Sequence, residues 1–127
     1  VLTTRTPVNL RTARTCYDHL AGEVAVAIYD FLLREAWIVP DGSALTPVGE
    51  AQFARSGITL PAGNRRRVCC ACLDWSERRF HPGGAVGAAL LQHGQRKGWF
   101  TLTPGFREVS ITPTGRLALR QHFHLPL

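Results

Sequence analysis

Apolar residues recur at helical spacing in two stretches of the chain. The first apolar set comprises Leu20, Val24, Ala27, Ile28, Phe31 and Leu32. It predicts one face of a helix that begins near Cys16 and ends near Ala36. The second set comprises Val86, Ala89, Leu90 and His93, on a helix predicted over residues 85–96. We expect these two long helices to pack near one another, because neither unit is large enough to bury its apolar face alone.

A short hairpin and a second helix are predicted after each long helix. Residues 37–39 and 99–102 have the pattern of strands, and residues 107–111 that of a return strand. Thr46-Pro47 and Thr112-Pro113 are helix starts, because threonine accepts a backbone N–H as N-cap and proline has no N–H to leave unsatisfied. The glycine two residues after each proline allows close packing against a neighbour.

The two stretches are copies of one unit. Residues 19–37 read HLAGEVAVAIYDFLLREAW and residues 81–99 read HPGGAVGAALLQHGQRKGW, at a constant offset of 62. A Cys-x-Asp precedes each copy and a Thr-Pro-x-Gly follows it. The predicted fold class is α+β, mainly helical, with two tandem winged-helix-like repeats and short two-stranded antiparallel wings. The predicted domains are an extended N-terminal link (1–14), repeat 1 (15–60), a linker (61–71) and repeat 2 (72–127).

Composition narrows the class of protein. A hydrophobic content of 45% with 19% charged residues is typical of a globular domain. No apolar run approaches the roughly 20 residues that span a bilayer, and the polar, basic N-terminus is unlike a signal peptide. We therefore expect a cytoplasmic protein with no membrane partner.

The sequence holds no methionine, and we expect it to be a piece of a longer protein. Its net charge of +6 suits an anionic partner.

Two longer motifs carry a resemblance to a known family. RTCYDHLAG, at residues 14–22, and the stretch around CLDWSERRFH, at residues 72–81, resemble the C-terminal half of bacterial ArsR-type winged-helix transcriptional regulators. Pro82-Gly83 departs from the Leu-Ala that this group tends to have. The resemblance implies a C-terminal sensor and assembly domain, with DNA bound through an N-terminal domain missing from this fragment. It also implies a small-molecule or metal inducer and a homodimer in the full-length protein.

Cysteine and histidine residues form a candidate metal site. Cys16-x-x-His19 and Cys69-x-x-Cys72 offer three thiols and an imidazole, with His81 as a further ligand. Such a set suits tetrahedral Zn²⁺, although no cofactor is required by the sequence. The alternatives are that the cysteines are small buried core residues or a redox thiol pair. Asp18 and Asp74 are spare ligands, but we expect them to cap the long helices.

Other polar and aromatic residues have two interpretations each. Trp37 and Trp99 are expected in the core, with a ligand pocket as the alternative. Around Trp75, the arginines of Trp75-Ser76-Glu77-Arg78-Arg79 either bridge the repeats through ion pairs or face an anionic ligand. The run of Arg65, Arg66 and Arg67 is either a solvated link or a DNA phosphate contact.

The sequence shows no constellation of catalytic residues, and we expect no enzyme activity. Two alternatives to a sensor domain stay open. One is a zinc or soft-metal-binding module, and the other is a tandem winged-helix domain that contacts DNA itself.

Overall fold

The computed structural model of the chain describes residues 12–16, 18–60, 70–74 and 79–127. Within these residues the α+β class is confirmed, with four helices and three small two-stranded antiparallel sheets. In chain order the elements are β1 (Arg14–Cys16), β2 (His19–Ala21), α1 (Glu23–Arg34), α2 (Pro47–Arg55), β3 (Cys70–Leu73), β4 (Phe80–Gly83), α3 (Gly84–Arg96), β5 (Phe100–Leu102), β6 (Val109–Ile111) and α4 (Pro113–Phe123). None of the helices in this part of the chain is long and apolar enough to cross a membrane.

A β-hairpin precedes each long helix, and the predicted start of the first helix near Cys16 is wrong. Strands β1 and β2 pair across that region, and α1 begins only at Glu23. The chain turns from strand into helix at Gly22, with φ of +93°, and at the equivalent Gly84, with φ of +65°. Only glycine adopts such φ values at little cost. Leu20 fits the helical spacing and is buried, but it reaches the core from β2, and apolar spacing alone does not separate these two cases.

The Thr-Pro-x-Gly elements start helices as predicted. The Thr46 hydroxyl accepts a hydrogen bond from the Gly49 N–H at 3.0 Å, and Thr112 accepts one from Gly115 at 2.9 Å. A Cβ on Gly49 would lie 1.9 Å from the carbonyl oxygen of Trp37, and one on Gly115 would lie 2.1 Å from that of Trp99. The predicted close packing at these glycines is therefore confirmed, and its neighbour is a tryptophan backbone in both units.

The wings of the two units differ in length. Strands β5 and β6 form a hairpin in the second unit, whereas the first unit has an isolated bridge between Ile38 and Leu45. The predicted return strand over 107–111 is present from Val109. The two residues just before it lie against β1 instead, since the Thr15 N–H donates to the Arg107 carbonyl at 2.8 Å and Arg14 forms an isolated bridge with Glu108. The second wing thereby holds β1.

The two units are interlocked through their hairpins. Helix α1 packs on β4 of the second unit, and α3 packs on β2 of the first. The approach of α3 is close, because a Cβ on Gly87 would lie 2.9 Å from the Cβ of His19. The two long helices come near one another as expected, since Ile28 of α1 and Leu90 of α3 line one small cavity, but the backbone of each helix lies closest to the other unit's hairpin.

Aromatic rings fill the centre of the core. Phe31 lies edge-on to Trp37 at 5.1 Å and to Phe123 at 5.7 Å, as measured between ring centroids. Phe123 comes from α4, so the last helix of the second unit completes the core of the first. The hairpins begin at Arg14 and Cys70, and the domain bounds, with repeat 1 from residue 15 and repeat 2 from residue 72, stay predictions. The winged-helix identity of the two units stays a prediction.

Candidate metal centre

Each hairpin presents one cysteine and one histidine side by side. Cys16 pairs with His19 across the turn of the first hairpin, and Cys72 pairs with His81 in the second. Residues directly opposite one another in antiparallel strands project from the same face of the sheet. The Cys16-x-x-His19 spacing thus places both side chains on one face of a hairpin, where the sequence predicted the beginning of a helix.

The two Cys-His pairs meet in one cluster. One sulfur or nitrogen atom from each of Cys16, His19, Cys72 and His81 can be chosen so that all four lie within 4.8 Å of one another. The Nε2 atoms of the two histidines are 3.1 Å apart. Both histidines are buried and both cysteines are half-buried. This juxtaposition follows from the interlocked packing, which brings β2 against β4.

Carboxylates hold the far nitrogen of each histidine. His81 Nδ1 lies 3.0 Å from Asp74 Oδ2, and His19 Nδ1 lies 3.4 Å from Asp18 Oδ1. Histidines that bind a metal through one nitrogen usually donate the other N–H to such an acceptor, which fixes the ring and its tautomer. The arrangement at this cluster leaves Nε2 of each ring directed at the centre of the cluster.

Asp74 also ties the cluster to the first unit. Its Oδ1 accepts from Arg14 Nη2 at 2.8 Å, and its Oδ2 accepts from the Gly22 N–H at 2.6 Å. The side chains of Asp74 and Arg14 are fully buried. The expectation that Asp18 and Asp74 cap their own long helices is wrong, because Gly22 and Gly83 occupy the N-cap positions without side-chain caps. Asp74 instead accepts the N–H of the N-cap residue of α1, from the opposite unit.

The four atoms match the donor set of a structural zinc site. Two cysteines and two histidines are a common tetrahedral set, with bonds of about 2.3 Å to sulfur and about 2.0–2.1 Å to nitrogen. These bond lengths place two nitrogen ligands about 3.3 Å apart and two sulfur ligands about 3.8 Å apart. The 3.1 Å between the histidine nitrogens and the 4.8 Å limit on the cluster are near those values. These distances are therefore compatible with tetrahedral coordination of one ion.

The sequence prediction named these four residues together with Cys69, which lies outside the described residues. It ranked His81 as a spare ligand behind Cys69, whereas the structure brings His81 to the centre. The repeat could have identified His81 as a main ligand, because His19 and His81 occupy equivalent positions in the two copies. Symmetry between the copies favours one Cys-His pair from each unit over a Cys-x-x-Cys pair from the second.

Trp37 and Trp99, the tryptophan candidates for a ligand pocket, are both buried in the core. A pocket beside Trp99, lined also by Leu20, Leu90 and Phe100, offers a cavity of about 10 Å³, which is room for about one water molecule. Arg79 forms an exposed ion pair with Asp30 of the first unit. The remaining candidates lie outside the described residues: Trp75, Arg78, Arg65, Arg66 and Arg67.

Comparison with known proteins identifies a relative of the chain. It is 36% identical over 123 residues to a Bacillus subtilis (strain 168) protein described as "Uncharacterized HTH-type transcriptional regulator YdfF". The match covers 94% of this chain and 54% of that protein, so the chain spans about half the length of the curated relative it matches. No protein-family model and no solved structure matches the chain. The chain is thus similar, over nearly its whole length, to part of an HTH-type transcriptional regulator.

Proposed function

We propose that the chain is the C-terminal sensor and assembly part of an ArsR-like transcriptional regulator. The observation that carries the proposal is the 36% identity to an HTH-type regulator over 94% of the chain. The resemblance of RTCYDHLAG and CLDWSERRFH to the C-terminal half of ArsR-type regulators supports it further. DNA is then bound by an N-terminal winged helix outside this sequence, and the full-length protein is a homodimer in the cytoplasm.

In this proposal, contacts between the two units couple ligand binding to the rest of the protein. Asp74 contacts His81 in one hairpin, Arg14 in the other, and the N–H of Gly22 at the start of α1. A ligand that shifts the hairpins relative to one another therefore changes the position of α1 and of the chain segment that leads into β1. An inducer acts in this way by binding more tightly to one of two packings of the units.

The first experiment compares DNA binding by the full-length gene product and by this chain. Each protein is used to select duplexes from a random-sequence pool, and affinities are measured by fluorescence anisotropy at 50 and 200 mM salt. We expect the full-length protein to select a defined sequence. The chain alone should bind at least about 1,000-fold more weakly and without preference, as non-specific binding does.

Two outcomes overturn the proposal. A full-length protein without sequence-specific DNA binding would remove the regulator assignment. Selection of one sequence by the chain alone, with comparable affinity, would replace the sensor domain by a tandem winged-helix domain that contacts DNA itself. Sedimentation of the full-length protein tests the homodimer separately.

A further inference from the structure

We propose that Cys16, His19, Cys72 and His81 bind one Zn²⁺ per chain in a tetrahedral site that joins the two units. The inference goes beyond the proposed regulator function and does not depend on it. It is based on the hairpin registers, the cluster geometry and the carboxylates behind the two histidines.

The orientation of the two histidines suits a cation bound between them. When His81 donates its Nδ1–H to Asp74 and His19 donates its own to Asp18, each Nε2 carries a lone pair. The two Nε2 atoms lie 3.1 Å apart, so in this pair of tautomers a cation between them, either a proton or a metal ion, removes the repulsion of the two lone pairs. A shared proton would use two atoms of the cluster, whereas a metal ion uses all four.

The donor set selects the metal. Thiolate and imidazole ligands favour zinc over magnesium or calcium, which prefer oxygen ligands. Arsenite suits three thiolates, and the cluster described by the structure holds two. With both thiols deprotonated, the two negative charges balance the charge of Zn²⁺. The filled site is then formally neutral, which suits the buried histidines and half-buried cysteines around it.

The site also joins distant parts of the chain. His19 and Cys72 belong to different hairpins, and neither hairpin alone supplies more than two ligands. Zinc therefore binds the interlocked arrangement and not the separated units. The free energy of metal binding then adds to the stability of the folded chain.

Metal titration of the 127-residue chain tests the site. The protein is reduced, stripped with a chelator, and titrated with Co²⁺ and then with Zn²⁺. We expect one equivalent of Co²⁺ to give thiolate charge-transfer and tetrahedral d–d bands, which one equivalent of Zn²⁺ then removes. Zinc should also raise the melting temperature of the chain, because the ion binds the folded state.

Single ligand substitutions are compared with a matched cysteine control. Cys16→Ser and Cys72→Ser should each weaken zinc binding by more than about 100-fold, because loss of an outer-shell partner alone reduces metal affinity about 10- to 100-fold. The double substitution Cys69→Ser with Cys70→Ser removes two thiols, one more than either ligand substitution, and should leave the metal stoichiometry and the cobalt spectrum unchanged. Far-UV circular dichroism of the stripped proteins verifies that each variant folds.

Three results would overturn the proposal. The first is a folded wild-type chain that gives no tetrahedral cobalt spectrum. The second is loss of binding in the Cys69/Cys70 control with retention in Cys16→Ser, which would place the metal elsewhere. The third is a melting temperature that zinc raises equally in the wild type and in Cys72→Ser. Because none of these measurements uses DNA, failure of the zinc site leaves the regulator proposal to its own test.

Discussion

Substitution of Asp74 by asparagine should be among the most destabilising single-atom changes in this chain. The Asp74 side chain is fully buried and accepts hydrogen bonds from Arg14, Gly22 and His81. Asparagine keeps the shape but has one acceptor oxygen and one NH₂ group. At least one of the three donors would then face the amide nitrogen, and the buried Arg14 guanidinium would face a neutral group.

The magnitude follows from the burial of this pair. Breaking a buried ion pair by neutralising one partner costs about 3–5 kcal/mol, a large part of the roughly 5–15 kcal/mol that stabilises a typical domain. The chain offers a matched control in Asp30, which pairs with Arg79. The side chains of that pair are 39% and 58% exposed, so Asp30→Asn should cost about 0–1 kcal/mol.

Urea unfolding of both variants measures the difference. The experiment is run at pH 7 with a chelator present, so that bound metal does not contribute, and is followed by circular dichroism. At a slope of about 1–3 kcal/mol per molar urea, the Asp74→Asn midpoint should fall by at least about 1 M. Equal midpoints for the Asp74→Asn and Asp30→Asn variants would refute the view that the buried carboxylate holds the units together.

Three further predictions concern the core. Gly115→Ala should destabilise the fold by more than about 1 kcal/mol, because its Cβ would lie 2.1 Å from the Trp99 carbonyl oxygen; an unchanged urea midpoint would contradict this. Phe31→Ala should cost about 3–5 kcal/mol in the same assay, and a cost below about 0.5 kcal/mol would mean that the buried ring is not packed. Burial, followed by the nearby charges of Arg96, Lys97 and His122, lowers the pKa of His93. The unfolded chain then binds this proton more readily, so stability should fall as the pH drops below about 6.5. That pH dependence should be weaker in His93→Leu, and equal slopes for the two proteins would rule His93 out as its source.

The second half of each unit was predictable because its signals are local. A threonine that caps a helix and a proline at the first helical position act within one turn, so Thr46 and Thr112 identified their helices from sequence alone. Gly49 and Gly115 gave the close approach as well, since each follows its cap by three residues. Only the identity of the neighbouring group, a tryptophan carbonyl in both units, could not be predicted from the sequence.

The first half of each unit was less predictable because its partners are distant in sequence. Strands β2 and β4 are buried by helices from the opposite unit. Local sequence patterns give no information about such contacts between units. Leu20 matched a helical period by position while lying in a strand. Asp74 resembled an N-cap by its place before a helix, yet it accepts the N–H of Gly22, 52 residues away. Periodicity reports that a side chain is buried, and not which part of the chain buries it.

The two hairpins contribute equivalent ligands to the cluster, one cysteine and one histidine each, but the carboxylates behind the two histidines are held differently. Asp74 is fully buried and held by Arg14, so His81 is fixed from behind. Asp18, its counterpart in the Cys-x-Asp of the first unit, is 34% exposed and lies 3.4 Å from His19. An outer-shell carboxylate that is itself anchored orients its histidine more rigidly than an exposed one. In the proposed zinc site, the second hairpin therefore holds its histidine more rigidly than the first hairpin does.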